Sequence, residues 1–153
     1  MKTATRLEFA EEPFTADFVD EVSSLTIRHW VEVGRMDVKF QPDWHLYTSG
    51  SDLGFLKLFT ARRDGVLKGY AVFVLRNHPH YSGTTIACQD VLYLDKAERK
   101  GMVGARFIKF CEQQLSTMDV AIVQQSTTVN HDFGSVLERL GYTPTSIIYE
   151  RRI

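Results

Sequence analysis

The chain has 153 residues, of which 44% are hydrophobic and 12% aromatic, and its formal net charge is −1 at pH 7. This composition suits one domain with a buried core over residues 1–153, and the near-neutral charge argues against a nucleic-acid-binding surface. Its two cysteines, Cys88 and Cys111, have neither zinc spacing nor the density of a disulfide scaffold. No stretch is a signal peptide or a membrane helix of roughly 20 apolar residues. We therefore expect a reduced, cytoplasmic protein that binds neither nucleic acid nor membranes.

The first third of the chain predicts one amphipathic helix. Apolar residues recur at steps of three or four over residues 14–33, and His29 on that apolar stripe is interpreted as a half-buried packing residue. Residues 34–54 show no clear period. Either a second helix or a substrate-side loop fits them.

Three strand-like runs follow. Residues 55–62 and 66–75 are separated by a turn with an Asp-Gly pair, which is typical of a hairpin. A polar turn over residues 77–83 leads to a third run over residues 84–94. Short turns between sequential strands predict an antiparallel meander.

The second half of the chain alternates helix and strand. A helix opens near Val103 and a strand begins at Val120, so we expect a right-handed β-α-β unit with parallel strands. Another helix is predicted over residues 131–140, with Gly141 as its C-cap. Alternation over residues 146–152 predicts a final edge strand, which could pair with another chain, so a homodimer is left open.

A glycine-containing turn joins the third run to the following helix. Gly101 and Gly104 lie where the first helical amides have no internal partner and the helix dipole is positive. This arrangement is a cradle for an anion, but its spacing matches neither of the two commoner phosphate loops. A local basic patch that suits a pyrophosphate accompanies it: Arg99, Lys100, Arg106 and Lys109.

Two segments resemble the GNAT family of N-acetyltransferases. Residues 91–108 contain the turn Leu94-Asp95-Lys96-Ala97-Glu98-Arg99 and then Arg99-x-x-Met102-x-Gly104, which resembles the family's acyl-CoA motif Arg/Gln-x-x-Gly-x-Gly/Ala. Residues 130–142 resemble the family's closing motif, with Asn130, Glu138, Arg139, Leu140, Gly141 and Tyr142 in register. The His-x-His-Tyr turn and the variant loop also resemble GNAT proteins encoded by tailed bacteriophages.

The resemblance implies an α/β GNAT fold, a mixed sheet of mostly antiparallel strands with a central parallel pair and flanking helices. Acetyl-CoA would lie between the third run and the strand that begins at Val120. Its pantetheine arm would pair with β-strand backbone, its pyrophosphate would rest on loop amides, and an asparagine side chain would help to hold the arm. The implied cofactor-binding residues are Leu92, Tyr93, Leu94, Arg99, Lys100, Gly101, Met102, Val103, Gly104, Ala105 and Asn130.

The implied reaction is direct acetyl transfer from the thioester to a primary amine in a ternary complex. The ammonium must first lose a proton, and Asp90, a carboxylate in an apolar strand, is the candidate base, since partial burial would make it a better proton acceptor. Pairing with a neighbouring Arg or His, or a place at a bulge, is the alternative for Asp90. The family takes its oxyanion donor from a strand N–H, which lies near Tyr93 here. Tyr93, Tyr142, His131 or water could serve as the acid.

The acceptor side carries no recognisable motif. His78, His80 and Tyr81 are candidates for contacting the amine, although a polar turn is the plainer interpretation. Trp44 and Tyr47 could line the pocket or simply pack. His78 and His80 have no third ligand beside them, so we expect no metal site.

Two departures from the family pattern keep a second function open. Met102 replaces the first glycine of the loop, and Leu137 replaces the usual tyrosine of the last helix. A GNAT-fold module that binds CoA or a partner protein without catalysis is therefore the alternative hypothesis.

Overall fold

A computed structural model describes residues 5–35 and 37–153, which form a mixed sheet with flanking helices. The strands are β1 (Glu8–Glu12), β2 (Leu56–Arg63), β3 (Val66–Asn77), β4 (Thr85–Leu94) and β5 (Ile122–Gln124), in the spatial order β1-β2-β3-β4-β5. The helices are α1 (Ala16–Val33), α2 (Trp44–Asp52), α3 (Val103–Ser116) and α4 (Gly134–Arg139), with a 3-10 turn at Lys96–Glu98. Within these described ranges, no helix is long and apolar enough to cross a membrane.

The predicted meander and β-α-β unit are confirmed. Strands β1 to β4 pair antiparallel, and β4 pairs parallel with β5. Between β2 and β3, Asp64 and Gly65 take φ values of 52° and 78°, because a two-residue type I′ hairpin turn needs positive φ at both positions. The mixed α/β architecture that the sequence predicts is present.

The structure completes the sequence prediction at two places and changes one boundary. Of the two alternatives for residues 34–54, the second helix is confirmed: α2 lies there, and its N-cap Asp43 accepts a hydrogen bond from the amide of Leu46 at 3.1 Å. Strand β1 was not predicted, because its five residues are mostly acidic. Helix α4 begins at Gly134 and not at residue 131. The Asp132 carboxylate accepts a hydrogen bond from the Gly134 amide at 2.7 Å.

The predicted final strand over residues 146–152 is wrong. Residues 143–153 are exposed and form no strand, and Arg35 on the loop after α1 pairs with Glu150 of this tail at 2.7 Å. An alternating pattern states which side chains could share a face, but it does not supply a partner edge. The neighbouring strand β5 has only three residues.

Alternate residues of the central strands pack into two cores, one on each face of the sheet. On one face, Phe59 and Phe73 pack with Phe107 of α3. On the other, Leu58 and Val72 pack with the apolar stripe of α1. Each such fully buried side chain contributes about 1.5–3 kcal/mol. The two cores fix β4 between α1 and α3, and the C-terminal half of β4 is where the cavities lie.

A side chain at Gly69 of β3 should destabilise the fold. A Cβ atom there would lie 2.7 Å from the carbonyl oxygen of Tyr93 on β4. We expect Gly69→Ala to lower the free energy of unfolding by about 1–3 kcal/mol, because backbone must shift to make room. Urea denaturation measures this change.

Gly104→Ala is the matched control. A Cβ at Gly104 meets nothing within 4 Å and lies in a helix, so stability should stay constant or rise by up to about 1 kcal/mol. Equal losses in both variants would show that the close approach of β3 to β4 at Gly69 does not decide the outcome.

Candidate functional site

The parallel pairing of β4 and β5 stops partway along β4. The two strands pair only over residues 86–88 and 122–124. Immediately beyond, the side-chain oxygen of Gln89 accepts a hydrogen bond from the amide of Ser126 at 3.0 Å. From residue 90 onwards, β4 has no strand partner on this side within the described part of the chain. The opening that the resemblance implied is present there.

A β-bulge lies near the narrow end of this opening. The β3–β4 register shifts after Val72, so that Val72 pairs with Val91 and Phe73 with Gln89, which leaves Asp90 as the extra residue. Bulges re-aim side chains and are common beside active sites. The alternative that Asp90 belongs to a bulge is thus confirmed.

The backbone of β4 beyond the bulge presents polar groups to the opening. The amide of Asp95 donates to Lys68 on the β3 side at 2.7 Å, and backbone groups alternate between the two edges of a strand. Leu92 and Leu94 therefore point their N–H and C=O groups into the opening, while Tyr93 points its own toward β3. The amide next to Tyr93 that could meet an oxyanion is that of Leu92.

A first cavity of about 340 Å³ lies between this edge of β4, the loop before α3, and α4. Of the eleven predicted cofactor-binding residues, eight line it: Leu92, Tyr93, Leu94, Arg99, Gly101, Met102, Gly104 and Ala105. Lys100 and Val103 do not line it. Asn130 is exposed in the turn after β5, outside the first cavity.

The loop accommodates Met102 without losing its cradle. The left-handed conformation falls on Gly101, with φ of 57°, while Met102 is the N-cap of α3 with φ of −93° and a side chain that is 65% exposed. Among residues 5–35 and 37–153, no acceptor bonds the amides of Gly104 and Ala105. The one-residue displacement of the glycine therefore leaves two helical amides open to the cavity.

Arg99 is engaged rather than free. Its guanidinium donates two hydrogen bonds to the Glu32 carboxylate, one of them at 2.9 Å, and its Nε donates to the carbonyl of Leu94 at 2.6 Å. Glu32 also lies 3.3 Å from His131 Nε2. The hydrogen bond from Arg99 is the main cause that lowers the pKa of Glu32. Arg99 thus fastens α1 to the end of β4.

His29 lies half-buried at the junction of two cavities. Its Nδ1 is 3.0 Å from the Tyr70 hydroxyl, and its ring stacks on Tyr93 with centroids 4.9 Å apart. Burial lowers the pKa of His29 from 6.5 to about 4, with Glu32 opposing the shift and Arg99 adding to it. The imidazole is therefore neutral at pH 7. The predicted packing role is confirmed, and His29 is also a wall residue of both cavities.

A second cavity of about 480 Å³ lies beneath the end of α1, the loop after it, and α2. Tyr47 of α2 donates its hydroxyl to Asp90 at 2.5 Å. Burial, and then this carboxylate, raise the pKa of Tyr47. Asp90 itself is exposed, so the partial burial assumed for a base is absent. Trp44 and Tyr47 both pack and line the cavity.

The other predicted residues lie elsewhere. His78, His80 and Tyr81 pack against one another with tilted or edge-to-face rings in the β3–β4 turn, outside both cavities. In the described ranges, no group of three potential ligands could hold a metal ion. Leu137 is buried with 7% exposure, and burial raises the pKa of Tyr142 to about 12.

Sequence reasoning missed several residues of the site. Glu32, Tyr70 and Phe133 each line a cavity. Glu32 and Tyr70 lie outside the recognised motifs, and Phe133 lies within the closing motif but is not one of its matched residues. A signal existed for Glu32, because a carboxylate three residues after His29 shares its face of the helix. Tyr70 and Phe133 read as ordinary core residues.

Comparisons with known structures identify the fold. A ribosomal-protein-alanine N-acetyltransferase from Brucella melitensis biovar Abortus 2308 superposes with a TM-score of 0.77 at 15% identity, over 97% of this chain and 98% of that one. A predicted acetyltransferase with acetyl-CoA from Clostridium acetobutylicum superposes with a TM-score of 0.75 at 8% sequence identity, over 96% of each chain. The third structure is an aminoglycoside acetyltransferase from an uncultured soil metagenomic sample, in complex with sisomicin. It superposes with a TM-score of 0.71 at 13% sequence identity, also over 96% of each chain.

Sequence comparisons add nothing to this result. No protein-family model matches the chain, and no curated protein matches it. At these identities the structural likeness shows the fold alone, and that fold is the GNAT acetyltransferase fold that the sequence predicts. The predicted bacteriophage origin has no support among these structures and stays a prediction.

His29 should make the fold acid-sensitive. The unfolded chain binds a proton at His29 near pH 6.5 and the folded chain only near pH 4, so stability is lost as the pH falls between these values. From pH 7 to pH 5 this loss is about 2 kcal/mol. We expect His29→Gln to remove it, as measured by urea denaturation at both pH values.

His45→Gln, at an exposed position on α2, is the control and should keep the parent's difference between the two pH values. If His29→Gln also keeps the full difference, His29 is not the buried neutral group described here.

Proposed function

We propose that the protein is an acetyl-CoA-dependent N-acetyltransferase that acts on a primary amine. One observation carries the proposal: the free backbone edge of β4 and the open amides of the first turn of α3 face the same cavity. A strand edge suits an amide-containing arm, and a helix N-terminus suits a phosphate. Acetyl-CoA contains both groups.

The residues present fit this donor. Leu92 and the amide of Leu94 would pair with the pantetheine amides, since the Leu94 carbonyl already accepts from Arg99. The amides of Gly104 and Ala105 would receive the pyrophosphate, since a Cβ at Gly104 would meet nothing within 4 Å. Arg139 lines the same cavity with an exposed side chain, and it forms no ion pair with any residue in the described ranges. It is thus better placed than Arg99 to meet a phosphate.

The donor would supply an activated acyl carbon, and the chain's own groups would direct the amine to it. An ammonium that enters the second cavity would give one proton to the Asp90 carboxylate. Because Asp90 is exposed, it would act as a relay that passes the proton to solvent, and not as a base strengthened by burial. The nitrogen lone pair then forms the new C–N bond while the C–S bond breaks. The second nitrogen proton goes to the departing thiolate, so the reaction releases one proton overall. The Leu92 amide would donate to the carbonyl oxygen as negative charge develops.

This assignment explains how the site could act without the usual tyrosine. Leu137 is a core residue and donates no proton. A thiol with a pKa of about 8.5 is a moderate leaving group, so a proton from the amine or from water suffices. His29 is held neutral beside Leu92, where a second positive charge would oppose the ammonium.

Blocking the amide cradle should abolish donor binding. Gly104→Glu places a carboxylate where the pyrophosphate would lie, and we expect isothermal titration to show CoA and acetyl-CoA binding to the parent and a loss of at least about 100-fold in the variant, since bulk and charge both oppose the phosphates. Gln113→Glu adds the same charge on the far, exposed end of α3 and should bind normally.

If the parent itself binds neither CoA nor acetyl-CoA, the proposed reaction fails. The GNAT-fold interaction module would then be the better hypothesis.

Removing the proton acceptor should slow transfer without weakening the donor. We expect Asp90→Asn to lower kcat/KM at pH 7 by roughly 100-fold, while the Kd for acetyl-CoA stays constant. The deficit should shrink toward pH 10, because an amine with a pKa of about 10.4 then deprotonates in solution. Steady-state rates across this pH range measure it.

Asp52→Asn, a carboxylate-to-amide change at an exposed position on α2, is the control and should keep the parent's rate. An Asp90→Asn deficit that is the same at pH 7 and pH 10 would contradict a role in proton removal.

A further inference from the structure

The second cavity combines flat aromatic walls with a single carboxylate. We propose that its ligand is a small primary monoamine with a flat apolar body, of the arylalkylamine class, bound with its ammonium group on Asp90. That this amine is then acetylated rests on the proposed function. The binding itself does not.

Aromatic side chains from α1, α2, β3 and the loops beside them form the walls. They include Phe14, Trp30, Phe40, Trp44, Tyr47 and Tyr70. Trp30 and Phe40 stack with centroids 5.0 Å apart and an interplanar angle of 24°, and Phe14 stacks with Trp44 at 6.1 Å. Rings that hold one another in place present rigid faces, which favour a flat apolar ligand and also stabilise a nearby cation.

The charges around the cavity match one ammonium group. Asp90 is the only carboxylate among the described lining residues, and the Tyr47 hydroxyl occupies only one of its oxygens. Arg35 at the rim is neutralised by Asp37 and Glu150. Lys39 is exposed on the rim. A ligand with several ammonium groups would therefore leave all but one of them without a partner.

The size and position of the cavity agree with this ligand. A volume of about 480 Å³ is within the usual range of small-molecule pockets. Its walls include His29, Leu92 and His131, which also line the first cavity. Asp90 precedes Leu92 by two residues on β4, so an amine held on Asp90 lies beside the gap-facing amide of Leu92.

Direct binding tests the inference without catalysis. Isothermal titration of the whole protein, with and without saturating CoA, would use 2-phenylethylamine, tryptamine, propylamine and spermidine as probes. We expect the two aryl amines to bind at least about tenfold more tightly than propylamine, because the ring buries apolar area. Spermidine should bind no more tightly than propylamine, and tighter binding of spermidine than of the aryl amines would overturn the inference.

Two variants assign the contacts. Asp90→Asn should weaken both aryl amines by roughly 10- to 100-fold, the range for loss of a hydrogen bond to a charged group, while Asp52→Asn should leave them unchanged. Phe40→Leu, on the loop rather than in the main core, should weaken the aryl amines but not propylamine. Equal effects of Phe40→Leu on all three amines would contradict a stacking wall.

Each of the two proposals can be contradicted without the other. Binding of aryl amines without any binding of acetyl-CoA would leave this ligand class standing and overturn the reaction. Binding of acetyl-CoA with no measurable binding of aryl amines, in the presence or absence of CoA, would overturn this ligand class and leave the reaction standing.

Discussion

The site depends on the interruption of hydrogen bonding along one edge of β4. Pairing with β5 ends at Cys88, and the bulge at Asp90 follows at once. The next backbone groups, at Leu92 and Leu94, then face a cavity instead of a strand. The Leu94 carbonyl is bonded to Arg99, but the N–H and C=O of Leu92 and the N–H of Leu94 have no partner among the described residues. Unpaired backbone groups away from water are costly, so this edge favours a ligand or water that completes the pairing. The same bulge places the Asp90 carboxylate at the second cavity. One interruption of the strand therefore supplies backbone groups to the first cavity and a carboxylate to the second.

Short-range sequence patterns predicted much of the fold and of the first cavity. The Asp64-Gly65 turn, the helical stripe of α1 and the β-α-β unit all follow from short-range rules that the structure obeys. The loop motif also placed eight of eleven predicted residues around one cavity. Even the variant position is now understandable, because the left-handed residue is Gly101 and the side chain of Met102 is largely exposed at the edge of the first cavity.

Long-range pairs were beyond the sequence. Arg99 looked like a phosphate ligand, but it binds Glu32, which lies 67 residues earlier. Asp90 was considered with Arg or His partners, and its partner is Tyr47 of α2, a helix that was only one of two alternatives for residues 34–54. Such contacts depend on how elements pack, and no local pattern encodes them. The tail over residues 146–152 failed for the related reason that a strand needs an edge as well as an alternating sequence.

The central claim is that the gap-facing amides of β4 and the first amides of α3 bind one ligand together. The most direct test is a titration of ¹⁵N-labelled protein with CoA, followed by amide chemical shifts. The account predicts that the largest changes fall on Leu92, Leu94, Gly104 and Ala105, with the β3–β4 turn unaffected. Changes confined to the turn, or none at saturating CoA, would contradict it.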